Sequence, residues 1–124
     1  MVRASNAYPV LNNSQGNSNM NAITTSPANL PEAITVGASD ITDSKTFYSN
    51  YGVAVDIFAP GSNVTSAWND GHTMTISGTS MATPSIAGLV AYFLNVIGPS
   101  TSPAAMSDYI KTWSTKDALR DVRK

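Results

Sequence analysis

The segment "GTSMATP" at residues 78–84 runs straight into "SIAGLVAYFLNVIG", and this junction constrains the chain more than any other feature. Gly78 permits a tight or unusual turn, and the apolar run after it predicts a helix over residues 81–97 that is apolar on nearly every side and therefore buried. Gly98 and Pro99 stop it. Pro84 is expected in the first turn, where a missing N–H costs nothing, and Gly88 is expected to allow close packing. Ser80 then lies at or beside a helix N-terminus. There the helix dipole and unpaired N–H groups would stabilise an oxyanion formed next to its hydroxyl. Serine is also a favoured N-cap residue, so position alone leaves open a purely capping role.

A helix buried all round needs layers on both sides, and a chain of 124 residues has few to offer. Residues 1–30, rich in Asn, Ser and Thr, read as mostly loop. "AITVGAS" (33–39) predicts a buried strand, and "VAVDIFA" (53–59) a second, closed by Pro60 and Gly61. "NVTSAW" and "HTMTIS" flank an Asp-Gly turn and predict a hairpin over 63–77. Ser102 as N-cap and Pro103 at the first helical position start an outer helix over 101–115, with Met106, Ile110 and Trp113 on its inner face. The tail from Arg120 to Lys124 is charged and expected to fray. The pattern is α/β, and it reads as part of a larger domain.

Composition narrows the function classes. A net charge of −1 with scattered Lys and Arg offers no surface for nucleic acid or an anionic membrane. The apolar stretch from Ile86 to Ile97 is too short to span a bilayer. With no cysteine, disulfides and thiolate metal sites are excluded. Sequons at Asn12 and Asn63 lend weak support to a secreted life.

"GTSMATP" and its apolar helix resemble the nucleophile motif of the subtilisin-like serine proteases. "SPANLPEAITVGASD" (26–40), "FYSNYGVAVDIFAPG" (47–61), "NVTSAW" (63–68) and "SPAAMSDYIK" (102–111) are similar to the same family in order and spacing, closest to its fungal proteinase K-like branch. The likeness covers residues 16–119, which leaves an off-family segment at 1–15 and a charged tail at 120–124. It implies a partial three-layer sandwich: strands of a parallel sheet, a hairpin, a buried central helix and an outer helix. It also implies a serine endopeptidase acting on protein or peptide substrates, secreted or vacuolar, with no cofactor required for the chemistry.

By the same resemblance Ser80 is the nucleophile. Asn17, after Gly16, is the side-chain donor that joins the Ser80 N–H in the oxyanion hole. Ser14, Gln15 and Gly16 would lie along the wall of the primary specificity pocket; "NNSQ" (12–15) stands where the family has small apolar residues. A structural calcium would be held by Asp56 and the backbone carbonyls of Pro31 and Ala33, oxygen ligands that suit this ion. The family's catalytic Asp and His belong to motifs far upstream of the oxyanion asparagine. The one histidine, His72, sits beside the hairpin turn and matches no such motif. The chain therefore reads as the C-terminal half of a peptidase domain, with little activity unless an upstream half supplies Asp and His. A non-catalytic remnant with a binding or regulatory role, and a hydrolase using His72 or a lysine as base, are the other readings.

Overall fold

The computed structural model describes residues 11–98 and 101–122. Expectations for residues 1–10, Pro99 and residues 123–124 lie outside them. β1 (Leu11–Ser14), β2 (Ala33–Ser39) and β3 (Ile57–Pro60) form a parallel sheet in the order β1-β2-β3. Each crossover is longer than the dozen residues that parallel pairing requires. β4 (Val64–Ala67) and β5 (Thr73–Ile76) make the antiparallel hairpin predicted from the Asp-Gly turn. α1 (Thr79–Ile97) and α2 (Pro103–Trp113) follow. The mixed α/β class and the parallel sheet agree with the sequence reading.

All seven residues of β2 are buried, in agreement with the buried strand expected there. Ile34, Val36 and Ala38 face a core completed by Ala59 of β3, Ala82, Ile86 and Val90 of α1, and Met106 and Ile110 of α2. β1 is a correction to the loop reading of residues 1–30. Its sequence, Leu-Asn-Asn-Ser, has poor strand character, and pairing with β2 in the register Leu11↔Ala33 to Ser14↔Val36 imposes the extended form. β3 is shorter than predicted because Val55 turns back, donating its N–H to the Gly52 carbonyl.

α1 begins at Thr79, two residues before the predicted start, and this moves Pro84 out of the first turn into the helix interior. Its missing N–H leaves the Ser80 carbonyl without the usual partner four residues on. The helix is not buried all round. Thr79, Ala82, Ile86 and Val90 form one buried stripe, whereas Tyr92, Val96 and Ile97 are exposed, Tyr92 by 61%. The cause is that one layer of described chain packs on it. Among the described residues Gly88 serves no close packing: a Cβ there would meet nothing within 4 Å. By length and composition alone the 19-residue α1 could cross a membrane; here it lies against the sheet through Ala82, Ile86 and Val90.

α2 starts as predicted, with the Ser102 hydroxyl accepting from the Ala105 N–H at 3.2 Å and Pro103 in the first turn. Met106 and Ile110 are buried, but Trp113, expected on the same face, is 70% exposed and lies tilted against Tyr109. The tail is held at its root, since Arg120 donates to the Asp43 carbonyl and accepts from the Lys45 N–H. The turn beneath it is tied by Asp40. The Thr42 hydroxyl, then the Thr42 and Ser44 amides, hold that carboxyl below its ordinary range.

Candidate active site

The site forms where the end of β1 meets the head of α1. Gly78 is the N-cap, in extended backbone, and supplies no side-chain cap. The missing cap comes from 62 residues away: Asn17 Oδ1 accepts from the Thr79 backbone N–H at 2.9 Å and from Thr79 Oγ1 at 3.0 Å. Thr79 is fully buried, so this anchor is fixed. Two donors on one end of the carboxamide also decide its orientation, since only the oxygen can accept. Asn17 Nδ2 is thereby left to donate. It lies beside Gly78, where an added Cβ would come within 3.5 Å of it.

Ser80 is the second residue of α1 and is exposed. Among the described residues nothing hydrogen-bonds its Oγ, and its backbone N–H also lacks a protein acceptor; the neighbouring Thr79 and Met81 amides are spent on Asn17 and on the Gly78 carbonyl. The helix start therefore presents one free backbone donor, one free side-chain donor and one hydroxyl. No acidic side chain sits in the first turn to offset the positive end of the helix dipole.

An open cavity of about 670 Å³ lies against Ser80, lined by Asn12, Asn13, Ser14, Thr83, Pro84 and Ala87. Of the expected pocket wall, Ser14 faces this cavity, whereas Gln15 and Gly16 are not among its lining residues. Successive strand residues point to opposite faces, so the Gln15 side chain turns inward. It is fully buried and donates to Ser49 Oγ and the Asn50 carbonyl, both at 2.5 Å. Gly16 forms the turn beyond it at φ +99°. Among the described residues, Asn12 Oδ1 and Asn13 Nδ2 are buried without hydrogen-bond partners.

His72 is exposed at the hairpin turn, its backbone N–H donating to Asp70 Oδ1, and the structure shows no hydrogen bond between it and Ser80. Asp56 is away from the serine. Its Oδ2 accepts from the Thr35 N–H at 2.8 Å, and its Oδ1 pairs with Lys111 Nζ of α2 at 2.6 Å. The oxygen set suits calcium in kind, but the carboxylate already carries an ammonium partner that sequence reasoning did not foresee. Its signal was a lysine in the last turn of a helix otherwise read for its apolar stripe.

A model of the Subtilase family matches residues 5–122. The chain belongs to that family. It is 56% identical over 107 residues to a cuticle-degrading protease of Metarhizium anisopliae, covering 86% of this chain and 27% of that protein. It is 47% identical to proteinase T of Parengyodontium album, covering 86% of this chain and 36% of that one. Its fold superposes on a cold-adapted subtilisin-like serine proteinase with a TM-score of 0.85 at 42% identity, over 88% of this chain and 40% of that structure. The chain thus spans roughly a quarter to two-fifths of these relatives.

Proposed function

We propose that this chain is the nucleophile-bearing part of a serine endopeptidase, acylated at Ser80. The observation that carries the reading is the pair of free donors at the head of α1, the Ser80 N–H and the Asn17 carboxamide oriented by Thr79. In the reaction Ser80 Oγ attacks the scissile carbonyl carbon and gives its proton to a base. The carbonyl oxygen becomes an oxyanion between the two donors, where preorganised dipoles act most strongly. The C–N bond then breaks, the amine leaves with the proton, and an acyl-enzyme remains for water to hydrolyse. A serine without a base is a weak nucleophile. The base and its aspartate are proposed to come from an upstream catalytic half, in the same longer protein or on a separate chain. Among the described residues no strand pairs with the outer edge of β1, and this edge and the exposed side of α1 offer it a place to pack. Protein or peptide substrates are part of the proposal, supported by the likeness to named proteases, and so is a secreted setting.

A fluorescent phosphonate that modifies active serines tests this. The chain alone should label slowly; after addition of a subtilase segment carrying the Asp and His motifs it should label rapidly, and Ser80→Ala should not label. Absence of labelling in the completed protein would favour the non-catalytic remnant instead.

A calcium at Asp56, with the Pro31 and Ala33 carbonyls, is a further part of the proposal and plays no part in the chemistry. The ion would have to displace the Lys111 ammonium. Calcium should therefore raise the melting temperature modestly in the native chain and by several degrees more in Lys111→Ala, since ligand at 100 times its Kd adds about 2.7 kcal/mol. It should leave Asp56→Asn unchanged. Thermal unfolding followed by circular dichroism, with calcium or with EDTA, reads all three.

A further inference from the structure

Asn17 is held by its side chain to Thr79, yet what fixes its backbone lies elsewhere. Residues on both sides of it are tied to one buried side chain, Asn50, which is 2% exposed. The Asn50 N–H donates to the Gly16 carbonyl at 3.2 Å, and Nδ2 donates to the Gln15 carbonyl at 2.6 Å. Its Oδ1 accepts from the Ser18 and Met20 amides, each at 3.0 Å. Its own carbonyl accepts from Gln15 Nε2. The approach is close: a Cβ on Gly16 would stand 2.8 Å from Asn50 Nδ2. The carboxamide uses both of its chemistries at once, a donor toward residue 15 and an acceptor toward residues 18 and 20. Aspartate has the same shape but would set a carboxylate oxygen against the Gln15 carbonyl.

We propose that Asn50 is a positioning residue for the oxyanion amide: by gripping the chain before and after Asn17 it sets where Asn17 Nδ2 stands relative to the Ser80 N–H. The proposal rests on the peptidase reading above and deepens it. Asn50 does not touch substrate; it acts through Asn17. Two donors stabilise one oxygen only if both lie at hydrogen-bond distance from it, and a displacement of about 1 Å can cost about 10²-fold in rate.

The test uses Asn50→Asp, read in two ways. In the chain itself, hydrogen exchange by NMR reports the Thr79 amide, whose acceptor is Asn17 Oδ1. Its exchange should quicken by at least about tenfold, while the amides of β2 and α2 change less than about twofold. An unchanged Thr79 amide would overturn the proposal, and so would loss of protection throughout, because the role would then be one of global stability. In the protein completed with its Asp and His segment, kcat should fall about 10- to 100-fold with KM nearly constant. The substitution should add nothing to Asn17→Ala. A loss that multiplies fully with that of Asn17→Ala would overturn it. If the completed protein shows no peptidase activity even with Asn50 intact, the peptidase reading fails by itself, and the exchange measurement still decides whether Asn50 holds Asn17.

Discussion

Ser80→Ala in the completed protein is expected to lower kcat by about 10⁶-fold, with KM little altered and the melting temperature unchanged. The rate figure is the one known for removing the nucleophile of a subtilisin, carried over rather than calculated for this chain. A residue of catalysis over water should persist, since Asn17 and the residue-80 N–H remain in place. The stability half of the expectation separates the nucleophile from a capping serine. A true N-cap serine costs about 1 kcal/mol when replaced by alanine. Here the cap position is Gly78, the capping acceptor is Asn17 Oδ1, and the Ser80 hydroxyl bonds nothing among the described residues. The substitution therefore removes chemistry and leaves the fold alone. Steady-state kinetics on a chromogenic peptide amide, beside a thermal melt, reads both. A melting temperature several degrees lower would return Ser80 to the role of a cap.

What the sequence disclosed was what neighbours in the chain decide. β2 was visible as a short β-branched run, the hairpin through Asp70-Gly71, and α2 through Ser102-Pro103. What it hid was decided by residues far apart. The start of α1 is set by an asparagine from the other end of the described chain, so the predicted start fell two residues late. β1 has no strand signature of its own; four residues of register with β2 make it a strand. Ser80 and Asn17 were singled out only because "GTSMATP" and "GN" resemble a known family. Asn50 lay inside a quoted family-like segment, "FYSNYGVAVDIFAPG", yet nothing in that string says that its carboxamide reaches back more than thirty residues. Lys111 was hidden in the same way, by a partner that becomes its neighbour only on folding.

Gly61→Ala should be among the most damaging single-methyl changes in the chain, because Gly61 is where three elements touch. The residue follows β3, donates its N–H to the Ser39 carbonyl at the end of β2, and accepts at its own carbonyl from the Gly78 N–H at 2.8 Å and the Tyr48 hydroxyl at 2.9 Å. A Cβ there would stand 2.6 Å from Ala38 Cβ and 2.8 Å from the Gly78 carbonyl oxygen, with Ala82 Cβ at 3.3 Å. None of these is the end of a flexible side chain, so relief must come from moving backbone. Overpacking of this kind costs about 1–3 kcal/mol, and backbone contacts place Gly61→Ala at the upper end, a melting temperature lower by about 10 °C. The displacement also has a direction. Gly78 precedes Thr79 and Ser80, so pushing it away shifts the nucleophile and its N–H relative to Asn17, and activity should fall further than the unfolded fraction explains. Gly88→Ala is the control. In the chain itself it adds the same methyl to an exposed helix position with nothing among the described residues within 4 Å, and should there raise stability by about 0.5–1 kcal/mol. Thermal melts of the two variants, with kcat of each in the completed protein, check the pair. Equal and small effects at residues 61 and 88 would mean that β3 and the head of α1 are not locked together at Gly61.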